Sequence, residues 1–144
     1  MIMRVDEKVK KIVSGIEGIN YEYNDWSRAN ITLDNLPFPV CLYVLPVSGQ
    51  LYNKNGNFRD FPDAFIAFLD KAEFDFDGKD NEPTVERMKE YAKKFILAVN
   101  NSRMFQPLPE SIMYRAVYDL LGVNLTGVII EIKLEELEGL CVNG

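Results

Sequence analysis

The stretch 83-PTVERMKEYAKKFILAVN-100 carries the strongest periodic signal in the chain. Its apolar residues Val85, Met88, Ala92, Phe95, Ile96 and Val99 recur three, four and one positions apart, which lines them along one stripe of an α-helix. Glu86, Arg87, Lys89, Glu90, Lys93 and Lys94 fall on the opposite side, with Glu90 and Lys94 in favourable i,i+4 order, so that side is solvated. Pro83 suits the first helical turn, where its missing N–H has no partner to lose, and Asn100-Asn101-Ser102 tolerates departure from the helix. The charged side carries both signs and lacks the basic bias that an anionic membrane selects. The expectation is a long helix lying across a sheet.

Toward the N-terminus, Val5, Val9, Ile12, Val13 and Ile16 repeat at helical spacing between charged residues, predicting a first helix over 4–17 that ends at Gly15 or Gly18. Residues 19–36 are rich in Asn, Asp and Tyr and hold the single tryptophan, Trp26. Their weak periodicity reads equally as short strands near Ile19–Tyr23 and Ala29–Leu33 or as a long ordered loop. Phe38–Leu45 is apolar on both alternating faces, as in a strand covered on both sides, with Pro39 at its start. The following SGQLYNKNGNFRDFPD reads as a loop with a tight turn at Asn55-Gly56. Ala64–Leu69 is short, aromatic and apolar, and predicts a second strand.

Beyond the long helix, Pro107 and Pro109 prevent its continuation. Alternation over Ile112–Leu120 and again over Val128–Leu134, with Gly122-Val123-Asn124 between, predicts an antiparallel hairpin. Residues 135–144 begin with helical character. Together these elements predict a single α+β domain over 1–144. Its mainly antiparallel sheet has about four to five strands, with the N-terminal helix and the long central helix on one face. The first two strands are apolar on both sides, so the second face calls for a cover, either the 19–36 segment or another copy of the protein.

Composition narrows the function. A chain of 144 residues is long enough for one domain with a true core, and 47% hydrophobic with 26% charged residues is ordinary for a globular protein. A net charge of −6 argues against binding nucleic acid through its phosphates. Cys41 and Cys141 make no disulfide framework and read as reduced thiols. The start MIMRVDEKVKK does not read as a signal peptide, and no apolar run reaches about 18 residues, so a cytoplasmic protein is expected.

The chain contains no histidine, which removes the commonest general base and zinc ligand, and it has neither a GxGxxG nor a GxxxxGK[ST] loop. In 73-EFDFDGKDNE-82, setting Gly78 as the glycine of a calcium loop places Glu73, Asp75 and Asp77 at the first three ligand positions. Thr84 then falls where a bidentate Glu is required. The match fails at its strongest ligand, and the segment reads as a solvated acidic loop preceding a helix N-terminus. Tyr21, Tyr23, Trp26 and Tyr43 suit either a stacking platform or, more commonly, core and interface packing. The sequence thus nominates no catalytic residue, cofactor site or metal site.

Several phrases taken together, FPVCLYVLPVSG, IAFLDKAEFDFDG, ERMKEYAKKFILAVNNS followed by FQPLP, and YDLLGVNLTGVIIEIKL, resemble small structural proteins from the morphogenesis modules of tailed phages and prophages. The order of elements resembles the tail-terminator or tail-completion family. That resemblance implies a non-enzymatic protein forming a ring, usually a hexamer, at the end of the tail tube, where it stops polymerisation and offers a joint to the head. Its implied partners are copies of itself and tail-tube or head–tail connector proteins, without direct nucleic-acid or membrane contact. The implied setting is the host cytoplasm during assembly and the virion tail or neck afterwards. No residue motif carries over, because that family works through surfaces. Assembly is expected to use Leu51–Asp60 and the sheet edge, with Tyr52, Phe58, Arg59 and Trp26 as interface residues. The competing expectation is a small-ligand-binding module or a carboxylate-based hydrolase, with Trp26 and the acidic loop 73–82 lining a pocket.

Overall fold

The computed structural model describes residues 4–24, 38–71, 82–120 and 125–137. Helix α1 (Val5–Ser14) buries Val9, Ile12 and Val13 and stops at Gly15, whose N–H reaches back to the Ile12 carbonyl. Asp6 and Glu7 in its first turn and Lys11 in its last follow the order that the helix dipole favours. Helix α2 (Glu82–Ser102) buries Val85, Met88, Ala92, Phe95 and Val99, the stripe expected from the spacing, while Ile96 is half-buried at its margin. Phe95 meets Phe68 edge-on with ring centroids 5.7 Å apart, and each such fully buried side chain is worth about 1.5–3 kcal/mol relative to exposure.

Among the described residues six strands belong to one sheet system: β1 (Asn20–Asn24), β2 (Val40–Val44), β3 (Gly49–Lys54) and β4 (Asn57–Lys71) before α2, and β5 (Tyr114–Leu120) and β6 (Leu125–Lys133) after it. Their order is β1-β2-β4-β6-β5, with β3 attached to β4 off this path. The β1–β2 pair is parallel, and all the other pairs are antiparallel. The α+β class, the mainly antiparallel sheet and the two helices on one face match the expectation.

The strand count does not match, because 48–63 is not a loop. Its Asn55-Gly56 turn is present, but Gly49–Lys54 and Asn57–Pro62 pair across it in register. Strand β4 therefore runs for 15 residues and changes partners midway. Its first half pairs with β3; from Asp63 onward it pairs with β6, and over Phe65–Leu69 with β2 as well. Alternation is concealed in the first half because neither of its faces is buried in the core.

Two apolar layers flank the central strands. Cys41, Tyr43, Ala64, Ile66, Phe68, Val128, Ile130 and Ile132 meet the helices. On the reverse face, Val40, Leu42, Val44, Ala67, Leu69, Leu125 and Ile129 form a second buried cluster, complete within one chain. Of the two covers expected for this face, another copy is therefore not needed. Glu135–Leu137 is extended rather than helical. Glu136 bridges Phe105, the Gln106 N–H donates to the Glu135 carbonyl at 2.7 Å, and the Leu137 N–H donates to Met104. The expected strand at Ala29–Leu33, the turn at 122–124, Cys141, Trp26 and residues 73–81 lie outside the described residues.

Candidate assembly surface

Strand β3 and the first half of β4 form a two-stranded ribbon extending past the main sheet. Asn55 and Gly56 adopt φ of 55° and 85°, the double positive-φ turn whose twist matches that of a hairpin. The Asn53 side-chain oxygen accepts from the Gly56 N–H at 2.9 Å and holds the turn. Every residue of β3 is exposed. A ribbon of this kind is marginal in water by itself, so it needs anchoring at its base.

The anchoring lies on one face. Tyr52 stands directly opposite Arg59, whose guanidinium donates to the Glu136 carbonyl and lies 5.0 Å from the Phe61 ring centroid. Tyr52 and Phe61 are 6.4 Å apart, and Lys133 Nζ donates to the Gln50 side chain at 2.9 Å. Alternation along each strand puts Leu51 and Phe58 on the other face. They are 72% and 65% exposed. One face of the ribbon is thus tied to the domain, while the other presents apolar side chains to solvent.

Of the four residues nominated from sequence, Tyr52, Phe58 and Arg59 come together on this ribbon, and Trp26 lies outside the described residues. Arg59 also has a structural part. It is half-buried, and its bond to the Glu136 carbonyl makes it an anchor of the ribbon. Leu51 lies within the expected stretch Leu51–Asp60, although it was not singled out there, whereas Val47 and the exposed Met113, Tyr114 and Tyr118 on and beside β5 were not named from sequence. The turn at Asn55-Gly56 is legible in sequence, and its flanking Leu-Tyr and Phe make it a strong short-range mark of a hairpin rather than of a loop.

A groove of about 390 Å³ opens beside the ribbon base, between the end of β6 and the segment leading into β5. Asp63, Glu131, Lys133, Glu135, Ile112 and Met113 are among its lining residues. Lys133 lies 3.5 Å from Asp63. The described residues contain no group of three or more acids or thiols arranged to hold a metal.

The tyrosines do not form a platform. Tyr43 is buried in the core, Tyr23 lies 4.9 Å from it, and the Tyr21 hydroxyl donates to the Asp6 carbonyl beneath α1. Burial pushes the Tyr21 and Tyr43 hydroxyls well above the usual phenol range, with smaller contributions from neighbouring acidic groups. Burial alone raises the Cys41 thiol. These groups stay neutral and behave as core. Among the described residues no helix is long and apolar enough to cross a membrane. No protein-family model matches the chain, and no curated protein sequence matches it.

Proposed function

We propose that this chain is a non-enzymatic structural protein that acts by joining copies of itself into a ring. The setting proposed is a phage or prophage tail end or head–tail joint, as a terminator or completion protein, with tail-tube or connector proteins as further partners. Such a protein acts in the host cytoplasm during assembly and in the virion afterwards.

One observation carries the reading. The ribbon is anchored on one face and exposes Leu51 and Phe58 on the other, a waste of apolar surface in a protein that stays alone. A second exposed apolar region, Met113, Tyr114 and Tyr118, lies at the far strand β5. Two dissimilar sticky regions on one subunit suit head-to-tail contacts, which close into rings when the rotation permits.

Light scattering across a concentration series, followed by electron microscopy of the associated fraction, tests the proposal. Mass rising to a discrete oligomer with ring-shaped particles is the expected result. A monomer at all concentrations, encoded away from tail-tube and tape-measure genes, would defeat it.

A further inference from the structure

The β5–β6 ladder begins at Tyr114–Ile130 and ends at Leu120–Leu125. Strand β6 continues through Glu131, Ile132 and Lys133, which pair with Phe65, Ala64 and Asp63 on the β4 side but stand opposite no residue of β5. Pairing on that side resumes further along, where Glu136 bridges Phe105. The 390 Å³ groove fills this interval, so it is a gap in a sheet edge, the kind of site that accepts an added extended segment.

Charge restricts the occupant. Among the described residues, Asp63, Glu131 and Glu135 line the gap against one cation, Lys133, which leaves that lining net acidic. The ribbon 49–61 carries Lys54 and Arg59 against Asp60, so it is net basic, with Lys54 next to the turn. Among the described residues β3 pairs with β4 alone, which leaves its outer edge able to pair. Geometry prevents the ribbon from filling its own gap. Its tip at Asn57 is six residues from Asp63 along β4, about 20 Å at roughly 3.3 Å per residue, and it points away.

We infer that the gap beside Glu131–Lys133 receives the β3 edge and turn of the ribbon from a second copy of this chain, with Lys54 set against Glu131 and Glu135. This inference rests on the proposed self-assembly and specifies its contact. It makes the contact heterologous, with the tip of one subunit in the gap of the next.

Charge reversal tests the pairing, with association followed by light scattering and folding by thermal unfolding. Lys54→Glu and Glu131→Lys change exposed side chains, so both variants keep the parent Tm. Each is expected to weaken association about tenfold or more by placing like charges together, and K54E/E131K in one chain is expected to recover to within about threefold of the parent. Single variants that weaken association without recovery in the double variant overturn this pairing while leaving ribbon-driven assembly standing. Unchanged association in either single variant overturns it as well. A parent chain that does not associate overturns both the pairing and the assembly proposal.

Discussion

The Lys8 ammonium lies 2.7 Å from the Glu136 carboxylate, joining the first helix to the last described segment across 128 positions of sequence. The same ammonium sits 5.8 Å from the centre of the Phe105 ring, and the Glu136 backbone carbonyl holds Arg59 of the ribbon. Glu136 therefore connects helix, ribbon and the chain after α2.

Removing that carboxylate charge leaves a largely buried ammonium with a weaker partner. Glu136→Gln should cost about 1–2 kcal/mol and lower Tm by about 3–6 °C. Thermal unfolding followed by circular dichroism measures this, and an unchanged Tm would show the pair to be incidental.

Phe58 and Arg59, adjacent in sequence, should respond differently. Phe58→Ser removes an exposed apolar side chain and should weaken self-association with Tm held within about 1 °C, as for ordinary surface changes. Arg59→Ala loses the bond to Glu136 and the stacking on Phe61, so it should lower stability by about 1–2 kcal/mol as well as association. Paired light-scattering and melting curves separate the two, and equal loss of Tm in both variants would reassign Phe58 to folding.

Gly127 has no room for a side chain. A Cβ there would lie 1.9 Å from the Phe68 carbonyl oxygen and 3.1 Å from the Leu69 Cα, both backbone atoms of the neighbouring central strand. Gly127→Ala should destabilise by about 2 kcal/mol or more, because β4 and β6 must separate or shift to admit it. Urea unfolding that shows less than half that loss would mean the ladder adjusts easily.

Thr126 offers a change of opposite sign. Its residue is fully buried, and its hydroxyl has no hydrogen-bond partner among the described residues. Thr126→Val keeps the shape and removes the unsatisfied group, so it should stabilise by about 1 kcal/mol. A lower urea midpoint in the variant would reveal a partner for the hydroxyl.

Alkaline pH should unfold the protein through its buried phenols and thiol. Tyr21, Tyr43 and Cys41 hold their protons more tightly when folded, so the unfolded chain releases protons first as pH rises. Their contribution is complete below about pH 9 and falls away above it, at about 1.4 kcal/mol per pH unit for each group once its unfolded form ionises. Urea midpoints at pH 8 and pH 11 should differ accordingly, and Tyr43→Phe should remove about one proton from the slope. A slope unaffected by Tyr43→Phe would place the alkaline loss elsewhere.

Legibility followed the range of the interactions. The stripe from Val85 to Val99 and the repeat from Val5 to Val13 are local patterns, and both became helices within a few residues of their expected ends. Residues 64–69 were recognisable because a strand buried on both faces needs apolar side chains on both. The ribbon was not recognised, since its exposed strands mix Gln50, Leu51, Tyr52, Asn53 and Lys54 without a buried face to impose alternation. The anchoring part of Arg59 is illegible in sequence for a related reason. Its partner is a backbone carbonyl 77 positions away, which leaves no mark in the neighbouring sequence.

By itself the sequence determined the two helices, the apolar central strands and the α+β class, because side-chain periodicity along a helix or strand is set by neighbours a few positions apart. Only the tertiary structure decided that β4 changes partners at Asp63, that the reverse sheet face closes within one chain, and that β6 runs three residues past its last β5 partner. Those features arise from pairing and burial between segments distant in the chain, where chain geometry rather than residue type chooses which groups meet.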